Sequence, residues 1–107
     1  MIHASGATAV FAFDDLMACG VIAGLAELAV SVPGDISVVG CDDVLLARAV
    51  TPALTTIRAP FGRVATSAIG GLISVWAGGT PLGELALSGE LILRASTGPA
   101  PSGPVGG

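Results

Sequence analysis

Apolar residues in this chain fall into short unbroken runs and into longer runs with helical spacing. Thr8 to Phe13 (TAVFAF) is an unbroken, mostly apolar run of strand length, the pattern of a parallel strand covered on both faces. Asp14-Asp15 follows and predicts a helix start, since carboxylates there accept from free N–H groups and complement the helix dipole. That helix extends to about Val30 with almost no polar face, which predicts burial on more than one side. Pro33-Gly34 turns the chain into a second strand, Ile36 to Cys41, ending in Asp42-Asp43. Thr55 to Arg58 reads as a third strand, and Pro60 marks the next helix start. From Phe61 to Ala77 the pattern is amphipathic. Phe61, Val64, Ala65, Ala68, Ile69, Leu72, Ile73 and Trp76 share one face, opposite Arg63, Thr66, Ser67 and Ser74. Gly78-Gly79 ends this helix. A last strand spans Glu90 to Ala95, and the Gly-, Pro- and Ala-rich residues after Gly98 are expected to be disordered. Strands alternating with helices predict an α/β fold with parallel strands.

One internal echo bears on function. Val10 to Asp15 (VFAFDD) and Val38 to Asp43 (VVGCDD) match at an offset of 28 residues, about one βα unit. Both acidic pairs thus fall at carboxyl ends of neighbouring or near-neighbouring parallel strands, the edge where open α/β sheets bind ligands. An Asp after a strand also serves simply as a helix N-cap, and that structural role weighs more on Asp15 and Asp43. Asp14 and Asp42, which leave the strands first, are the candidate ligand-binding residues. Carboxylates accept paired hydrogen bonds from vicinal hydroxyls, which suits sugars and nucleosides without metal or base. An enzymatic alternative would place Mg²⁺ on these carboxylates, with Thr55 or Thr56 on phosphate. The chain has no Lys, no P-loop and no GxGxxG for phosphate, and Arg58 is the only cation at a strand end beside the pairs. The residues name no catalytic group, metal site or cofactor.

Composition adds a constraint. The chain has 107 residues, 52% hydrophobic and only 11% charged, with 16 Gly and a net charge of −4; soluble domains carry about 25% charged residues. A chain this small hides only about 60–68% of its unfolded surface. The surplus apolar residues therefore need lipid or a further protein surface as cover. Leu16 to Val32 is 17 residues with Glu27 as its one charge, and it contains Gly20-x-x-x-Gly24, a helix-dimer spacing in lipid. A spanning helix wants about 20 apolar residues, and the flanking Asp14-Asp15 and Pro33-Gly34-Asp35 favour a buried helix, so no membrane partner is expected. Residues 1–13 lack the basic start and apolar stretch of a secretory signal. Four scattered Arg without Lys give no basic surface for nucleic acid. Cys19 and Cys41 lack metal-ligand spacing and read as free packed thiols. His3, the only histidine, supports neither a transition-metal site nor a His-based triad.

Four blocks carry a family resemblance. Ala7 to Gly20 (ATAVFAFDDLMACG), Val32 to Asp43 (VPGDISVVGCDD), Thr51 to Pro60 (TPALTTIRAP) and Leu91 to Thr97 (LILRAST) resemble, in order and near-family spacing, segments of LacI/GalR-type transcriptional regulators. The resemblance implies the C-terminal part of a periplasmic-binding-protein-like effector domain, a Rossmann-like three-layer α/β fold. Residues 1–98 would be sensor, with 7–57 in the C-terminal lobe, 58–87 in the N-terminal lobe, 88–98 a return strand and 99–107 a tail. The helix-turn-helix and most of one lobe would lie outside these residues. The resemblance further implies a cytoplasmic, non-enzymatic regulator that binds a small effector, with a sugar as the expected class, and works as a homodimer. It would contact DNA only through the domain not represented here. Asp42 matches the family's ligand-contacting Asp. Asp14 matches a cleft position that is usually Asn, and Cys41 replaces a usual aromatic. Leu16 to Ala29 and Leu45 to Val50 resemble dimer-interface regions. A periplasmic sugar-binding protein of an ABC transporter, which shares the two-lobed fold, is the alternative.

Overall fold

The computed structural model describes residues 5–81 and 83–103. Residues 104–107 of the expected tail, and His3, lie outside the described residues. The chain forms two compact units, one of Met1–Arg58 with Leu91–Gly107 and one of Ala59–Glu90.

In the first unit, β1 (Ala9–Phe11) and β2 (Ser37–Val39) pair in parallel. The register is Ala9↔Ser37, Val10↔Val38 and Phe11↔Val39. Each pair is separated by the same 28 residues as the sequence echo, so the repeat of the sequence is the repeat of the sheet. Helix α1 (Asp15–Glu27) crosses from one strand to the next, and the short helix α2 (Leu45–Ala49) follows β2. Strand β3 (Thr56–Arg58) pairs with β4 (Glu90–Ile92), and a parallel bridge from Val39 to Thr55 joins β2 to the start of β3. The core is Ala18, Ile22 and Leu25 of α1 packed with Ile36, Val38, Ala47 and Leu54.

Both β4 and α1 stop short of the lengths the sequence pattern predicts, each for a local reason. β4 ends at Ile92 because the Arg94 N–H donates to the Thr55 hydroxyl (3.0 Å) rather than to a neighbouring strand. Beyond it, buried Ser96 acts as a stitch. Its carbonyl accepts from Val38 N–H (2.9 Å), its hydroxyl donates to Val38 O (2.6 Å), and it accepts from Thr55 N–H (2.8 Å). Helix α1 ends at Glu27 rather than near Val30. Ala29 adopts φ 57°, and the N–H groups of Ala29 and Val30 return to the carbonyls of Ala26 (3.1 Å) and Leu25 (2.9 Å). This is the Schellman closure, with Ala at the left-handed position that glycine usually takes. The helix buries one face, through Asp15, Ala18, Ile22 and Leu25, whereas its apolar pattern predicts burial on more than one side. Leu16, Met17 and Leu28 stand exposed.

In the second unit, α3 (Phe61–Trp76) begins after Pro60 as the proline predicts, and it buries none of its residues. The polar side, with Thr66, Ser67, Gly70, Gly71 and Ser74, shares a groove of about 280 Å³ with Thr80 and Leu85. The predicted apolar face is the open one: Leu72 and Ile73 are exposed, and Trp76 is 94% exposed. No helix among the described residues is long and apolar enough to cross a membrane.

Candidate functional site

The two acidic pairs follow the paired strands β1 and β2, and the four carboxylates differ in what already holds them. Asp14 is half-buried with an extended backbone and caps α1. Its Oδ1 accepts from the Met17 N–H at 2.8 Å, so half of this carboxylate is committed to the helix.

Asp15 is 1% exposed and serves structure alone. Its Oδ1 accepts from the Thr56 hydroxyl at 2.5 Å and its Oδ2 from the Val44 N–H at 2.8 Å. Its own N–H donates to Cys41 O at 2.9 Å. One buried carboxylate thereby ties the start of α1 to β3 and to the start of α2. Gly40 makes room for it, since a Cβ there would collide with Asp15 Oδ1 and lie 2.9 Å from Leu54 Cδ2.

Asp43 is bound as firmly. Its side chain is 2% exposed and sits between Arg58, with Nε at 2.9 Å and Nη2 at 2.7 Å, and Arg94, with Nη2 at 2.7 Å. The hydrogen bond from Arg94 is the largest influence on Asp43, and with that from Arg58 it outweighs burial and holds the carboxyl below its ordinary range. Arg94 is itself anchored, since its Nη1 donates to Leu54 O at 3.0 Å.

Asp42 is different. Its N–H donates to Ile57 O at 2.8 Å and its backbone has φ 110°, while among the described residues its carboxylate meets the adjacent Cys41 thiol and no backbone N–H, hydroxyl or guanidinium. It lies near enough to Cys41 to matter there. Burial first, then the charges of Asp42 and Asp15, push the Cys41 thiol up. Burial and then Asp15 do the same to Cys19. Both cysteines are free.

The structure thus places Asp14 and Asp42 after corresponding positions of adjacent parallel strands and commits Asp15 and Asp43 to fold-building bonds. Sequence reasoning marks Arg58 as the cation beside the pairs but misses Arg94, and it misses Thr56 as the partner of Asp15. A lone Arg within the apolar run LILRAST is the signal that could have found the first. No such signal existed for Thr56, because a Thr in a strand ordinarily needs no partner.

Residues 2–97 match the periplasmic binding protein-like domain model. The HTH-type transcriptional regulator MalR of Streptomyces coelicolor is 41% identical over 96 residues, which cover 88% of this chain and 28% of the regulator. The chain therefore spans less than a third of that relative. Among solved structures, a LacI family transcriptional regulator from Arthrobacter sp. FB24 in complex with lactose is 30% identical with a TM-score of 0.76, covering 89% of this chain and 37% of that one. The lac repressor dimer bound to operator and the anti-inducer ONPF is 33% identical with a TM-score of 0.76, covering 84% and 32%. The α/β units, the parallel β1–β2 register and these likenesses agree. The chain belongs to the periplasmic-binding-protein-like domain family in its LacI/GalR-type regulator branch.

Proposed function

We propose that these residues form the C-terminal part of an effector-binding and dimerisation domain of a transcriptional regulator, and that Asp42 binds the effector. The observation that carries this reading is the state of the four aspartates. Three are engaged by backbone, hydroxyl or guanidinium donors of the fold, and the fourth leaves a sheet edge with its carboxylate against the adjacent Cys41 thiol and its backbone held in an uncommon conformation. An ionised carboxylate only accepts, so it selects ligands rich in hydroxyl or cationic donors and disfavours acidic ones. A sugar fits that chemistry, and lactose in the Arthrobacter regulator supports the class. Asp14, with one oxygen on the helix cap, contributes its other oxygen from the neighbouring strand end.

In this reading residues 7–57 belong to the C-terminal lobe, 58–87 to the N-terminal lobe and 88–98 to the return strand, with 99–107 as a tail. The regulator is a cytoplasmic, non-enzymatic homodimer, reaching DNA through a helix-turn-helix outside these residues. The exposed apolar side chains of α1 and α2, with Leu45 at 82% and Leu16 at 70%, supply the dimer face. A ligand that binds one lobe arrangement better than another shifts the population and with it the DNA affinity.

The test is calorimetric titration of a panel of neutral mono- and disaccharides into this chain joined to a complementing lobe. Asp42→Ala is expected to abolish binding with an unaltered far-UV CD spectrum. Unchanged affinity in the variant sinks the assignment.

A further inference from the structure

Asp42 and Asp43 are consecutive non-glycine residues with positive φ, 110° and 56°. Aspartate tolerates the left-handed region in which Asp43 sits, whereas φ 110° at Asp42 is an uncommon conformation that surrounding bonds must hold. The bonds present here converge on one strand. Asp42 N–H donates to Ile57 O, and the next residue, Arg58, grips Asp43 through Nε and Nη2. Arg94 closes the other side of the same carboxylate and is braced in turn by Leu54 O and by the Thr55 hydroxyl on its backbone N–H.

The positions of the two arginines in the chain add a second observation. Arg58 is the last residue of the first unit before the chain leaves it at Ala59. Arg94 comes three residues after the chain returns at Leu91. One buried carboxylate at the end of β2 therefore fastens both the departing and the returning segment.

We propose that Asp43 is a positioning residue that holds Asp42 in its strained presentation and fastens the Asp42 turn to both crossing segments of the chain. Its consequence for ligand response rests on the effector-binding reading of Asp42, whereas the mechanical role does not. A ligand pulling on Asp42 moves a turn already fastened to Arg58 and Arg94, so the displacement reaches the outgoing and incoming segments together. Neither Asp14 nor Asp15 offers such a route, because their bonds run to α1, α2 and Thr56.

The experiment needs no ligand. Residue-resolved amide exchange on the 107-residue chain compares wild type with Asp43→Asn, which keeps the shape and removes the charge. Exchange at the Asp42 and Arg94 amides is expected to accelerate by about tenfold or more, while the Ala12 and Ser37 amides, which donate to Val39 O and Thr8 O between β1 and β2, hold, as local opening predicts. A second readout is the pH profile of Cys41 alkylation, which shifts to lower pH when the Asp42 charge is released from beside the thiol. If Asp43→Asn unfolds the chain, Arg94→Gln and Arg58→Gln decide the matter. Arg94→Gln is expected to free the Arg94 amide more than the Asp42 amide, and Arg58→Gln the reverse. Uniform acceleration across turn and ladder in every folded variant, or an unmoved Asp42 amide and Cys41 profile, overturns the proposal. Loss of the saccharide result alone would remove the ligand reading and leave the clamp standing.

Discussion

Thr56→Val tests the Asp15 knot most cleanly, because it deletes one donor and leaves the carboxylate its other bond. Thr56 is fully buried, and its hydroxyl donates to Asp15 Oδ1 at 2.5 Å. A hydrogen bond to a charged acceptor contributes about 1.5–3 kcal/mol, so Thr56→Val is expected to cost about 2 kcal/mol. Asp15→Ala also removes the bond to Val44 N–H and strands the Thr56 hydroxyl in the core. Relief from burying a charge offsets part of that loss, which puts the net near 3 kcal/mol. The double variant is expected to cost little more than Asp15→Ala alone, a coupling of about 2 kcal/mol. Against a total stability on the order of 5 kcal/mol for a chain of this size, the single Thr56 variant stays folded and the Asp15 variants fall close to the limit. Urea titration followed by far-UV CD measures this. Trp76 is 94% exposed, so its fluorescence reports little on the core. At a slope of about 2 kcal/mol per M urea, Thr56→Val lowers the midpoint by about 1 M. Costs that add within about 0.5 kcal/mol would refute the coupled knot.

Three further outcomes are expected. Ala29→Gly relieves the left-handed Schellman position, worth about 1–2 kcal/mol to an L-residue, against a smaller glycine entropy cost; a higher urea midpoint checks it, and a lower one contradicts the capping geometry. Gly40→Ala is expected to cost about 1–3 kcal/mol by overpacking, since its Cβ would meet Asp15 and Leu54 and the Asp15 Cα at 3.1 Å cannot swing away; an unchanged melting temperature would contradict the close approach. For Asp43, the folded pKa is depressed, so its contribution is present above the ordinary aspartate value of about 3.9 and is lost as the pH falls through the lower folded value. The stability gap between wild type and Asp43→Asn should therefore be wide at pH 7 and close below about pH 3.9; a gap that widens in acid reverses the sign and rejects the ion-pair account.

The sheet was legible in the sequence because it is written there twice. A 28-residue echo of VFAFDD in VVGCDD became the strand register itself, Val10 opposite Val38, since parallel neighbours joined by one helix repeat at the length of a βα unit. The division of labour among the four aspartates was only half legible. Emergence order separates Asp14 and Asp42 from Asp15 and Asp43, but the capping bond of Asp14 and the turn that presents Asp42 depend on local backbone angles that no pattern of apolar residues encodes. Arg94 and Thr56 were hidden for a related reason: each meets its carboxylate across about forty or more residues of chain, and long-range polar pairs leave no periodic trace. The apolar surplus resolves differently again. Periodicity correctly assigned an apolar face to α3, yet Leu72, Ile73 and Trp76 stand exposed there, as Leu16 and Leu45 do on α1 and α2. Exposed apolar area of this extent on two separate units drives association. The isolated chain should therefore sediment heavier than a monomer, and a concentration-independent monomer would show that these faces need no cover.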